Sequence, residues 1–411
     1  MKTVLLRLSG FAVLPLLSLI TPLLLLPVIA SIVGAAGISS VISGQAIGTF
    51  AATVLLWGWN VDGPVAIARA ADAHERGVIY LRSVRTRLLL MIVVMPLAGF
   101  VAAAVAVPEF GGEAAAMSWA VMLAGLSPGW FCIGVGQPRL LALYDTVPRF
   151  LATTAAAPVL LLTQQLWHYT VLLGIGTLLA LVLFHRAYSA GGQWLPIDLR
   201  ESLGQLKGQA KTAGISLAAN AYASTPTPIA TATTAPQASG SLATADTLYR
   251  FGLFTVVALG NAFQGWTIER NVANRTRRHL TAIWSHAGLG VLGALILTLA
   301  GPFASSLLFA GKAQASTELC AYYGLSFMFL SASTPFIRNL LIPAGRQSQV
   351  LRWTLISAVL GVGAMIWAGA SGNAPGIALG MALSEAVLFV ALMIPGLKLL
   401  REERASDLAF Q

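Results

Sequence analysis

Charge is absent from long stretches of this chain, and that absence limits its fold more than any motif does. No Lys, Arg, Asp or Glu falls in residues 8–61, 88–108, 114–138, 150–184, 212–245, 280–311, 319–337 or 353–384. A helix needs roughly 20 apolar residues to cross the hydrocarbon of a bilayer, so the shorter runs fit one crossing and the longer ones a hairpin or more. Of the 411 residues 57% are hydrophobic and 10% charged. Water-soluble domains carry about a quarter charged residues, which excludes that class. The expectation is an all-α polytopic membrane protein of about 12 transmembrane helices.

The predicted spans are 9–32, 43–66, 88–107, 115–136, 141–163, 169–188, 210–233, 241–265, 282–304, 318–343, 350–370 and 374–397. The first, behind Lys2 and Arg7, resembles a signal peptide but reads as an uncleaved helix because more spans follow. Orientation comes from the basic residues, which favour cytoplasmic loops. With the N-terminus inside, only Lys312 falls outside, and Arg149, Arg250 and Arg338 fall within spans. Both termini are therefore expected in the cytoplasm, in a multi-pass protein of a bacterial cytoplasmic membrane. The net charge of +10 punctuates the membrane segments, so nucleic acid is not an expected partner. Basic segments 67–87, 186–211, 266–281 and the tail from Lys398 fix topology and touch anionic membrane lipid.

A weak internal repeat divides the chain. Ser127-Pro128 with Gly136-Gln137-Pro138-Arg139 resembles Ser333-Thr334-Pro335 with Gly345-Arg346-Gln347. The expected organisation is an N-terminal six-helix lobe at 1–188, a cytoplasmic linker at 189–209, a C-terminal six-helix lobe at 210–397 and a cytoplasmic tail at 398–411. Repeated halves are common in transporters, with the substrate site between them.

Ionised groups inside a bilayer are costly and mark function or pairing. Asp145 and Arg149 are four residues apart, as are Asp246 and Arg250, a spacing that stacks each pair on one helix face. Arg149 lies ~12 Å inside the cytoplasmic boundary at the helical rise per residue. Arg338 also falls in the inner half and Arg250 in the outer half. Arginine holds phosphate through a planar, permanently charged fork. Arg149, Arg250 and Arg338, with Asn220, are the candidate substrate contacts. Asp62, Asp145, Asp246 and Glu385 are the candidates for ion coupling. Each has a plainer reading, as a neutralised ion pair or a boundary residue.

The seventh span is small, polar and interrupted by Pro226 and Pro228, which predicts a bend there. Asn220, Ser224 and Thr225 would line a hydrated face, or else allow close helix packing. Pro15, Pro22 and Pro27 predict bending in the first span as well. The histidines form no metal-spaced cluster and no GxxxxGK[ST] loop is present. Cys132 and Cys320 sit in or beside apolar runs, where neither a disulfide framework nor a metal site is expected. No metal, no cofactor, no catalytic residue and no enzymatic activity are expected.

Three stretches resemble a known family. They are Leu56-Trp57-Gly58-Trp59-Asn60-Val61-Asp62-Gly63-Pro64-Val65-Ala66-Ile67-Ala68, Pro128-Gly129-Trp130-Phe131 with Gly134 and Arg139, and Ala245-Asp246-Thr247-Leu248-Tyr249-Arg250. Together they are similar to the Wzx-type polysaccharide flippases of the superfamily that includes MATE and MurJ (the MOP exporters). The resemblance implies two lobes around a central cationic cavity, MATE-like in fold. It implies a flippase that moves polyprenyl-diphosphate-linked oligosaccharide from the inner to the outer leaflet by alternating access. Polysaccharide-assembly proteins would be its partners. Alternatives are a MATE-type multidrug antiporter, a lipid II flippase, or a membrane glycosyltransferase or polymerase.

Overall fold

The structure is a computed structural model that describes residues 2–189, 198–268 and 275–409, with side chains from Leu25 to Glu402 apart from a few interior positions. Residues 190–197 of the expected linker, Arg270, and the side chains of Pro15 and Pro22 lie outside the described set. Every regular element among the described residues is helical. In chain order they are α1 (Lys2–Leu56), α2 (Trp59–Arg69), α3 (Ala73–Val105), α4 (Gly111–Met122), α5 (Gly129–Val135), α6 (Pro138–Leu141), α7 (Val147–Thr163), α8 (Trp167–Tyr188), α9 (Leu199–Ala223), α10 (Pro226–Thr233), α11 (Pro236–Ile268), α12 (Arg275–Leu308), α13 (Thr317–Pro335), α14 (Gln347–Ala370) and α15 (Ala374–Ala409). Two π-turns, Ala142–Thr146 and Phe336–Leu341, are continuous with α7 and α13.

Nine helices among the described residues are long and apolar enough to cross a membrane. The spans predicted at 9–32, 210–233 and 318–343 are helical but not among those nine. Large apolar side chains face outward where a soluble protein would place charge, including Ile92 (71% exposed), Leu299 (78%) and Trp367 (78%). Such faces are stable against lipid and costly against water. The chain is a multi-pass membrane protein.

Two compact units share the chain. The first holds Met1–Ser224 and Leu308–Ala310, and the second holds Thr225–Leu307 and Gly311–Gln411. The division falls at the break in the seventh span, later than the expected linker at 189–209, so α9 packs with the N-terminal unit. The reason is visible in α9 itself. Trp57 Nε1 donates to Leu206 O at 2.9 Å, and Arg82 and Arg85 meet Glu201 at 3.3 and 2.6 Å.

Bends follow two different causes. α9 stops at Ala223 and α10 restarts at Pro226, as the prolines predict. α1 remains helical through its three prolines and breaks at Gly34 (φ 62°, ψ −172°) instead. That backbone region favours glycine because a Cβ would clash there. The basic segment 67–87 is not a loop, since α2 reaches Arg69 and α3 begins at Ala73. The two segments of the expected repeat also differ locally. Ser127 is extended (ψ 139°) and Pro128 caps the start of α5, whereas Pro335 keeps helical angles.

Within the first unit, Gly44 and Gly48 of α1 lie directly on the backbone of Ala114 and Ser118 in α4. Small residues let membrane helices approach until backbones touch. An aromatic core of Trp59, Tyr80, Trp130, Phe131 and Phe184 fills the same unit. In the second unit Leu341, Leu388 and Leu392 form a buried cluster against Trp353.

Candidate functional site

The first unit contains a polar chain that starts at a residue the sequence pattern hides. Pro128 has no N–H, and Ser127 leaves the helix, so the carbonyls at this break in the middle of the fourth span lose their helical donors. Arg87 of α3 replaces them. Its Nη1 donates to Gly125 O and Ser127 O, and its Nε to Ser83 O, each at 3.2 Å. The side chain is fully buried and its guanidinium lies 5.9 Å from the Trp130 ring centre. Ser127 passes the chain onward, donating from Oγ to Asp145 Oδ1 at 2.8 Å. Asp145 Oδ1 also meets Arg149 Nη2 at 2.9 Å.

Two of the family-like stretches meet at this point. A tight turn at Trp57 and Gly58 (φ 39° and 87°) links α1 to α2. It delivers Trp59 against Trp130, with ring centres 5.2 Å apart, and Trp59 Nε1 donates to Thr86 Oγ1 at 3.2 Å. Gly63 lies flat on the Trp130 indole, where any side chain would collide. Asp62 accepts a hydrogen bond from Thr212 Oγ1 at 3.3 Å, joining α2 to α9. Asn220 donates to Ser216 O on its own helix at 3.0 Å.

The second unit contains a tighter and drier cluster. Arg250 Nε donates to Asp246 Oδ2 at 2.7 Å, and Thr227 Oγ1 of α10 donates to the same oxygen at 3.0 Å. Asp246 is 1% exposed and Arg250 34%. Asp246 Oδ1 and the hydroxyls of Tyr249 and Tyr323 are buried with no partner at conventional hydrogen-bond distance. The two phenol rings are 5.4 Å apart. Glu385 of α15 is also buried and lies within electrostatic reach of Tyr249. A buried carboxylate oxygen without a donor costs roughly 1–3 kcal/mol or more.

Arg338 lies on the Phe336–Leu341 π-turn, the kind of helix irregularity that recurs at functional sites. Its Nη2 donates to Asn261 Oδ1 of α11 at 2.8 Å. Gly260 lets the guanidinium lie on α11, since a Cβ there would come 2.8 Å from Nη1. Beside it, Asn339 is buried with neither amide atom paired. The structure thus brings Asp145 to Arg149 and Asp246 to Arg250. Asp62, Asp145, Arg149 and Asn220 belong to the first unit, and Asp246, Arg250, Arg338 and Glu385 to the second. Sequence reasoning missed Arg87, Ser127, Thr227, Tyr249, Tyr323, Asn261 and Asn339 as parts of these clusters.

No protein-family model matches the sequence, and no curated protein matches it. Solved structures do match. The lipid II flippase MurJ in its inward closed conformation aligns with a TM-score of 0.69 at 11% identity, covering 98% of this chain and 91% of that one. The chain has the MurJ and MATE fold. A MATE transporter in complex with MaL6 aligns with a TM-score of 0.52 at 13% identity, over 97% of each chain. A MOP superfamily transporter from Pyrococcus furiosus, whose binding-pocket polarity is described as reversed, aligns with a TM-score of 0.51 at 13% identity, over 96% of this chain and 93% of that one. Identities this low establish the fold alone.

Proposed function

We propose that this protein is a flippase that carries polyprenyl-diphosphate-linked oligosaccharide from the inner to the outer leaflet by alternating access. The observation that supports this most is the fold likeness to a lipid II flippase along 98% of the chain. The intramembrane arginines give the fold a matching chemistry. A diphosphate cannot cross hydrocarbon unaided, because desolvating it is prohibitive. Arg338, on the π-turn and hydrogen-bonded to the Asn261 amide, is the arginine we assign to the diphosphate first. Arg149 and Arg250, each held by an aspartate, are assigned supporting roles toward the anion, with Asn220 toward the sugar. Asp246 and Glu385 are assigned to ion coupling, on the strength of the unpaired Asp246 oxygen, with Asp62 and Asp145 as further candidates. We place the protein in a bacterial cytoplasmic membrane with both termini inside.

The test is transport in vesicles containing the purified protein. Polyprenyl-diphosphate oligosaccharide added to one leaflet should reach the other, with no new glycosidic bond formed. Crossing of lipid II instead would change the cargo and keep the class. Export of cationic drugs without lipid movement would favour a MATE-type antiporter, for which the buried Asp246 is the supporting feature. A new glycosidic bond would favour a polymerase.

A further inference from the structure

A crevice of 790 Å³ opens between α14 and α15 on the second unit, and no residue of either ion cluster lines it. Its wall is apolar over most of its length, with Val390 and Ile394 facing outward (50% and 65% exposed) beside Trp353. Its rim carries three cations, Arg346, Arg352 and Lys398. None of the three is in an ion pair among the described residues.

Helix arithmetic sets the depth of this rim. α14 ends at Ala370 and α15 starts at Ala374, so the two helices turn back at one membrane surface. Arg346 and Lys398 are each ~36 Å along the helix axis from that turn, at the helical rise per residue. The hydrocarbon is about 30 Å thick, which leaves both cations at the level of lipid phosphates on the opposite surface. Arg352 is ~27 Å along by the same rise and can extend its guanidinium outward to join them. Val390 and Ile394 lie at ~24 and ~30 Å, at acyl-chain depth. Cations above and an apolar groove below describe an amphiphile with a negative head. Basic pockets between membrane helices recognise anionic lipid headgroups in this way.

We propose that the α14–α15 crevice is a binding site for an anionic phospholipid. Its phosphate is held by Arg346, Arg352 and Lys398, and one acyl chain lies along Val390 and Ile394 against Trp353. In the orientation set by the basic residues, the lipid belongs to the cytoplasmic leaflet. A zwitterionic lipid carries its own ammonium and gains less from three cations.

The experiment is native mass spectrometry of the full-length protein, delipidated and titrated with phosphatidylglycerol, phosphatidylcholine, polyprenyl diphosphate or inorganic diphosphate. Phosphatidylglycerol should be retained in preference to phosphatidylcholine. Removing two basic residues, in Arg352→Gln/Lys398→Gln, should weaken its binding by roughly 30-fold, the loss expected for two cations near a lipid surface. Ala391→Phe, which fills the groove and keeps the rim, should weaken it too. Lys207→Gln/Lys211→Gln, on α9, should leave it unchanged. The thermal midpoint without lipid should be the same in all variants, which separates lost binding from lost folding. Equal retention of the two phospholipids, or equal binding by the Arg352/Lys398 and Lys207/Lys211 variants, would overturn the proposal. So would displacement of phosphatidylglycerol by polyprenyl diphosphate or inorganic diphosphate, because the crevice would then belong to the cargo or to free phosphate.

Discussion

Two aspartate–arginine pairs with the same four-residue spacing have come to rest in very different surroundings. Asp145 and Arg149, in the first unit, are 20% and 35% exposed. The aspartate sits on a π-turn and is tied through Ser127 to the fully buried Arg87. Asp246 of the second unit is on a regular stretch of α11, is 1% exposed, and keeps one oxygen without a hydrogen-bond partner. The first arrangement satisfies its groups and ties down the break in the middle of the fourth span. The second leaves a buried carboxylate oxygen with no hydrogen-bond partner. Spacing set both pairs; tertiary packing decided how deeply each was buried.

The comparison breaks first at Arg87. Arg87→Ala would leave the Gly125 and Ser127 carbonyls buried without donors, and the loss should be on the order of 3 kcal/mol or more. The measurement is the thermal midpoint of purified protein, which should fall sharply, with little folded protein recovered. An unchanged midpoint would mean that the chain from Arg87 to Asp145 is not structural.

Asp246→Asn comes next. It keeps the shape but removes the charge that faces Arg250. The variant should fold, lose most cargo movement in vesicles, and lose any dependence of transport on an imposed ion gradient. Asp145→Asn is its partner experiment. That pair is partly exposed, and such pairs contribute about 0–1 kcal/mol, so transport should fall by less than half and the midpoint should move little. Equal losses in the two variants would erase the distinction between the units. The smallest effect belongs to Thr212→Val. The hydrogen bond it removes is long, at 3.3 Å, and its loss should cost under ~1 kcal/mol with transport retained.

Much of the fold was legible because charge cannot enter hydrocarbon cheaply. Nine of the twelve predicted spans fall on helices long and apolar enough to cross a membrane among the described residues, and Pro226 marked the break in the seventh span. Both ion pairs could be read from helical spacing. Arg87 could not. It follows Arg82 and Arg85 on the N-terminal part of α3, and in sequence it looks like a third topology-setting arginine. Only the approach of Gly125 and Ser127 from the fourth span turns it inward. A usable hint was the polar face formed by Ser83, Thr86 and Arg87 just ahead of a charge-free run. The break at Gly34 was hidden for another reason. A positive φ is a backbone property, and the prolines nearby drew attention away from the one residue able to adopt it. Tyr249 and Tyr323 were overlooked because buried tyrosine in an apolar helix has no spacing signature; they meet only when α11 and α13 pack.

The proposed function depends on a membrane-embedded arginine that moves a lipid-linked diphosphate across the bilayer. The most direct measurement compares wild type with Arg338→Ala and Arg338→Lys in vesicles loaded on one side with fluorescent polyprenyl-diphosphate oligosaccharide. The account predicts crossing by wild type, at least tenfold slower crossing by Arg338→Ala, and partial recovery by Arg338→Lys, all at equal protein abundance. Full-speed crossing by Arg338→Ala, or no crossing by wild type, would contradict it.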